Sequence, residues 1–285
     1  MLYRIVQYIQ PWEIDDLERQ VHCMIPSTYH IDSSDTVVWD ITMNISDTIV
    51  DWNNSQLPKE FFVNKFKYLE KLVKQYFVTE FDTDNSIQGC TDKRRVCSKK
   101  KQDFIIWLDS DMYFSKATLP CLINSSKVCT DDYFFISPQI IKYWDSSWDV
   151  LVNNKFINEP FNHRDYFDSY SIDDTVLNSV ISIKLNKQPK FGGGWFNLFK
   201  SSAFEAIPLP AGLKSYGDDD TYFMYCCGKH NVQQYILDGI FVTEIGNRYL
   251  EGKDYLKSML SVNISDKAKL TFGEVQSLVK EYWEA

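Results

Sequence analysis

The chain has 285 residues, is 44% hydrophobic and carries a formal net charge of −9. That length supports a domain with a substantial core, and the charge excludes a basic nucleic-acid groove as the main feature. Seven cysteines, an odd number without a CxxC pair, exclude a zinc ribbon and a fully paired disulfide framework. They fit reduced thiols in a cytoplasmic protein. No apolar stretch is long enough to span a bilayer, so an enzyme with membrane acceptors would have to visit the membrane surface. The abundance of Lys, Asn, Ile and Tyr suits an AT-rich genome, a viral one included.

Residues 4–9 (RIVQYI) read as a buried strand. Ile14, Leu17, Val21 and Met24 follow at helical spacing, and Pro26 is expected to stop that helix. Thr36–Met43 reads as a second strand, and residues 58–76 as a second helix with Phe62, Phe66, Leu69, Leu72 and Val73 on one face. The basic run Lys93, Arg94, Arg95, Lys99, Lys100, Lys101 reads as a solvated loop. Arg94 and Arg95 are equally able to face a donor diphosphate. Phe104–Leu108 (FIIWL) is apolar throughout, which marks a third strand buried on both faces.

Strand, helix, strand, helix, strand begins an α/β sheet with parallel order. Further strands are expected at 133–137 and 234–237, separated by polar segments such as 145–174 of the kind that often face an acceptor. No linker or repeat interrupts the chain. It reads as one domain over 1–285, with a nucleotide-binding half to residue 112 and an acceptor half from 113.

Three motifs carry chemistry. Asp109-Ser110-Asp111 follows the apolar strand directly, and ligands of open α/β sheets bind at the carboxyl ends of strands. Paired carboxylates suit Mg²⁺ or Mn²⁺, which take their remaining ligands from water and substrate phosphates. A helix-capping turn at Asp109 or Ser110 is the competing structural reading. Second, Gly192-Gly193-Gly194-Trp195-Phe196 combines glycines, which let backbone approach a ligand, with a ring that can stack on a sugar. A turn before a strand would look the same. Third, Asp218-Asp219-Asp220 is a carboxylate cluster in which one member can be poised as a general base. Acids at a helix N-terminus are its structural counterpart.

In that order and spacing, DSD, GGGWF and DDD resemble the motifs of the GT-A glycosyltransferases, especially the family-2-like group and its viral and bacterial relatives. The resemblance implies a Rossmann-type mixed sheet flanked by helices. It also implies a metal-dependent transferase that moves sugar from a nucleotide-sugar, first of all a UDP-sugar, to a glycan, lipid-linked or protein hydroxyl, with inversion. Arg94 and Arg95 resemble the basic residues that family places near the donor. Asp109 and Asp111 would hold the metal and diphosphate, with Gly193, Gly194 and Trp195 beside the donor. The base falls among Asp218, Asp219 and Asp220, with Asp219 and Asp220 favoured. Relatives often supply a late histidine as a metal ligand; here Glu244 is the candidate substitute. Gln10 after the first strand and Asp40, taken as the end of the second, are assigned to the base and ribose.

Two rivals remain. A sugar-phosphate nucleotidyltransferase would want a glycine-rich basic loop after the first strand, and QPWEIDD lacks one. A carbohydrate- or nucleotide-binding protein without catalysis would bind donor but consume none.

Overall fold

The structure is a computed structural model that describes residues 1–47, 50–53, 55, 57–142, 183–185, 195–215, 218–244 and 270–285. Alternation along the strands decides the layering. In β1 (Leu2–Ile9), Tyr3, Ile5 and Ile9 enter one hydrophobic core, and Val6 enters a second on the opposite face. In β4 (Phe104–Leu108), Phe104, Ile106 and Leu108 join the first core, Ile105 and Trp107 the second. Strands that are apolar on both sides require cover on both sides.

The first core is covered by α1 (Ile14–Ser27), α2 (Lys59–Val73) and α4 (Thr118–Ser126). The second is covered by α3 (Cys90–Cys97), α5 (Ser201–Ala206), α6 (Asp219–Cys226) and α7 (Phe272–Glu284). Pro26 does not stop α1 but sits inside its last turn. The hydrogen bond that Pro26 cannot donate would have gone to the carbonyl of His22, an exposed residue that water can reach.

β1 pairs in parallel with β2 (Thr36–Met43) and with β4, and β2 pairs in parallel with β3 (Val78–Asp82). Beyond β4 the directions mix. β8 (Phe196–Lys200) runs antiparallel to β4 and to β6 (Phe134–Lys142), and β9 (Gln233–Glu244) is parallel to β6. The short strands β5 (Met112–Phe114) and β7 (Ile183–Leu185) pair antiparallel with β9. The order is β3-β2-β1-β4-β8-β6-β9-β5 with β7 also on β9, a nine-stranded mixed sheet among the described residues. The parallel order expected at the start of the sheet is found there, and the second half makes the sheet mixed, as expected. The segment 145–174 lies outside the described residues. None of the seven cysteines forms a disulfide, and no helix among the described residues is long and apolar enough to cross a membrane.

One ionic group interrupts the second core. Asp40 is fully buried in the middle of β2, not at its end. Its carboxylate accepts from Arg4 Nη1 at 2.7 Å, from Lys100 Nζ at 2.6 Å and from Lys93 Nζ, and Cys97 Sγ lies 3.3 Å away. Glu80 of β3 shares Arg4 and Lys100. The expected ribose contact of Asp40 is thus replaced by an ion cluster that fastens α3 to the sheet. The basic run is correspondingly no solvated loop: Lys93 and Arg94 are buried on α3.

Burial alone would raise the pKa of Asp40, but Lys93 and Lys100 outweigh it and hold the group well below the usual carboxylate range. Removing one partner of a buried ion cluster costs about 3–5 kcal/mol, so Asp40→Ala should show that loss in urea unfolding. A depressed native pKa gives stability that is complete above the unfolded value of about 3.9 and is lost as pH falls further. Asp40→Asn should therefore flatten the acid limb of the stability profile below about pH 4; an unaltered limb would contradict the cluster's role.

Candidate active site

β4 ends at Leu108, and the chain passes through Asp109-Ser110-Asp111 directly into β5. A strand, not a helix, comes after this turn, so the capping reading of Asp109 and Ser110 does not apply. The turn lies at the carboxyl end of β4 beside that of its parallel neighbour β1, where α/β sheets open a crevice. The Asp109 amide donates to the carbonyl of Trp195 at 2.8 Å. That bond ties the residue after the glycine run to the turn. Gly193 and Gly194 lie outside the described residues.

Arg94 joins the first acidic motif to the second. Its Nη2 lies 2.5 Å from Asp109 Oδ1, and its Nη1 lies 2.9 Å from Asp219 Oδ2. The guanidinium carbon sits 4.4 Å from the centre of the Trp107 ring, a cation–π contact. Arg94 is 4% exposed and Asp219 is 1% exposed, whereas the Asp109 side chain remains 36% exposed. Arg95 does not join them. Neighbouring helical residues point about 100° apart, and Arg95 instead reaches Asp92 and the Leu213 carbonyl, each at 2.7 Å.

The three acids at the start of α6 have separate environments. Asp218 takes a left-handed conformation, φ 66°, which Asp tolerates better than most residues. Its carboxylate accepts from the Leu270 amide at 3.1 Å. Asp219 is committed to Arg94. Asp220 accepts from the Thr221 amide at 2.6 Å and keeps partial exposure. Loss of water raises the Asp220 pKa to about 6, helped by Asp219 and opposed by Arg94. Asp109 is likewise raised, first by desolvation and then by Asp111, Asp219 and Asp220, with Arg94 pulling it down.

Behind the turn stand two residues that sequence pattern alone does not single out as functional. Glu13 closes a short 3-10 turn (Pro11–Glu13) after β1. It accepts from the Gln10 amide at 2.6 Å and from the Ser110 side chain, and burial raises it to about 7. Its place three residues after Gln10 is a capping-box spacing visible in the sequence. Gln20, a polar residue on the apolar face of α1, reaches the backbone of the turn itself. Gln10, at the end of β1, is buried and donates to the Tyr8 hydroxyl at 3.1 Å.

Glu244 is the last residue of β9 and lies in register opposite Met112, so its backbone ends beside the turn. Among the described residues no three His, Cys, Asp or Glu side chains are grouped to hold an ion. Asp109 and Asp111 still offer hard oxygen donors. Asp111, Asp219 and Asp220 crowd negative charge about Asp109, with Arg94 as the opposing cation. That excess fits a divalent ion whose remaining ligands come from substrate phosphate and water.

No family model matches the chain, and no curated protein matches it. Among solved structures it is similar to S. aureus TarS 1–349 in complex with UDP-GlcNAc, at 12% identity and TM-score 0.47, covering 99% of this chain and 71% of that one. It is similar also to GalNAc-T7 with UDP, GalNAc and Mn²⁺, at 13% identity and TM-score 0.48, covering 86% of this chain and 44% of that one. The chain thus spans less than half of the GalNAc-T7 chain. These are likenesses of fold, and the functional reading rests on the site itself.

Arg94→Met would leave Asp219 buried without its counter-charge, a loss of about 3–5 kcal/mol in urea unfolding. Arg94→Lys should fall between that variant and the wild type, because a compact ammonium cannot fork between two acids. Wild-type stability in Arg94→Met would contradict the bridge.

Proposed function

We propose that the chain is a metal-dependent glycosyltransferase that moves sugar from a nucleotide-sugar, first of all a UDP-sugar, to a hydroxyl acceptor with inversion. One observation supports this above the rest: Asp109 at the end of β4 and Asp219 at the start of α6 meet on the single guanidinium of Arg94, with Asp220 beside them. Two acidic motifs far apart in sequence thereby meet at the carboxyl end of β4, where ligands of α/β sheets bind.

In this reading Asp111 and Asp109 would hold Mn²⁺ or Mg²⁺. The bound ion supplies neutralisation of charge on the departing diphosphate. Asp220 takes the proton of the acceptor hydroxyl as that oxygen attacks the anomeric carbon from the side opposite the diphosphate. Asp218 and Asp219 are less suited to this work, since the Leu270 amide and Arg94 engage their carboxylates. Trp195, whose carbonyl accepts from the Asp109 amide, would set a ring beside the donor. The acceptor would be a glycan, lipid-linked or protein hydroxyl. A nucleotidyltransferase finds no support here, because the loop after β1 places the acid Glu13, not a basic cradle, beside the turn.

Calorimetric titration with UDP-sugars, with and without Mn²⁺, tests the reading. Asp111→Asn should abolish Mn²⁺-dependent donor binding; unchanged affinity would refute the ligand role. Asp220→Asn should bind donor normally and slow transfer roughly 100- to 10,000-fold. A base must be ionised to act, so wild-type transfer should climb with pH through about 6 and level off above. That limb should vanish in Asp220→Asn, and full transfer by this variant would move the base to Asp219.

A further inference from the structure

Buried polar side chains are costly unless fully satisfied. Two glutamines nonetheless stand in the first core. Gln7 of β1 is 1% exposed and Gln20 of α1 is 2% exposed, with Ile5, Ile9, Leu17 and Val21 as core residues on the same two elements. Trp39 of β2 starts a directed chain through them. Its indole Nε1 donates to Gln7 Oε1 at 3.1 Å, Gln7 Nε2 donates to Gln20 Oε1 at 2.5 Å, and Gln20 Nε2 ends the series. There it faces the backbone carbonyls of Asp109 at 2.9 Å, Ser110 at 3.1 Å and Met112 at 3.1 Å.

The direction of this chain is forced. An indole N–H can only donate. Gln7 must therefore turn its carbonyl to Trp39 and its amino group to Gln20. Gln20 must in turn present its carbonyl to Gln7 and its two N–H groups to the turn. Reversal of either amide would set donor against donor at one end, or a carbonyl against three carbonyls at the other. The two N–H groups serve three acceptors, so one is shared, as is common where a chain bends. The arrangement gathers three backbone oxygens of the turn about one point in the core.

We infer that Gln20 is a positioning residue for the Asp109–Asp111 turn, held in its working orientation by the Trp39–Gln7 relay; the consequence for ligand binding rests on the proposed donor role of that turn. It touches neither sugar nor phosphate. It fixes the backbone from which the two metal-facing carboxylates project, as outer hydrogen-bond partners do for metal ligands generally.

The test uses Gln20→Met, of similar length without N–H groups, Trp39→Phe, which removes the donor that orients the relay, and the double variant. Three quantities are read: affinity for Mn²⁺–UDP by calorimetry, amide hydrogen exchange of residues 109–112, and stability in urea. Gln20→Met should weaken Mn²⁺–UDP binding about 10- to 100-fold and speed exchange in the turn. Trp39→Phe should shift both in the same direction by less, and should add nothing to affinity or turn exchange in the Gln20→Met background. A purely structural role predicts instead that affinity and turn exchange stay at the wild-type values while stability in urea falls. Wild-type affinity and exchange in folded Gln20→Met would overturn the inference. Should the wild type bind no Mn²⁺–UDP, the glycosyltransferase reading fails, and turn exchange alone still decides the relay.

Discussion

The structure depends on one guanidinium. Arg94 bonds an acid 15 residues away at a strand end and another 125 residues away at a helix start. Asp219 could not be buried there unpaired, because an uncompensated charge in a protein interior costs several kcal/mol. The bridge therefore fixes α3, β4 and α6 together at one end of the sheet. It also sets the chemistry: one delocalised cation is shared by two acids, so the carboxylates around it retain excess negative charge.

Two buried polar systems converge on this place from opposite faces of the sheet. On one face, Arg4, Lys93 and Lys100 close on Asp40 and seat α3, which carries Arg94. On the other, Trp39, Gln7 and Gln20 run through the first core to the carbonyls of the DSD turn. Elsewhere the described core is dominated by aliphatic and aromatic packing. These two systems place the turn and its arginine, the kind of rigid support a site needs.

Much of the first half was legible because local patterns dominate it. The apolar run 104–108 could only be a covered strand, and the carboxyl end of a covered strand in an α/β sheet is a candidate site. The spacing of Ile14, Leu17, Val21 and Met24 marked α1 except for its end, where one exposed carbonyl made Pro26 harmless. Local pattern failed where distant partners decide the outcome. Lys93 looked like a solvent-facing charge and Arg94 fitted solvent or a donor phosphate equally, since their carboxylates lie on β2, β4 and α6. Asp40 looked like a ligand contact for the same reason. β3 is an edge strand of mixed polarity, β5 and β7 have only three residues each, and the antiparallel insertion of β8 between β4 and β6 is a long-range pairing. Of the residues assigned to the site, Asp109, Asp219, Asp220, Arg94 and Trp195 gather near the turn. Arg95 and Asp40 are spent elsewhere, and Glu13 and Gln20 escaped notice because only the fold brings Ser110 to one and the turn's carbonyls to the other.

The central claim is that the acids at the end of β4 face a divalent cation and a diphosphate. Crystals grown with Mn²⁺ and a UDP-sugar, measured for anomalous scattering from manganese, test it most directly. The account predicts a manganese peak bonded to Asp111 and to diphosphate oxygens, with Arg94 still bridging Asp109 and Asp219. Sugar nucleotide bound without such a peak, or with manganese bound elsewhere, would contradict it.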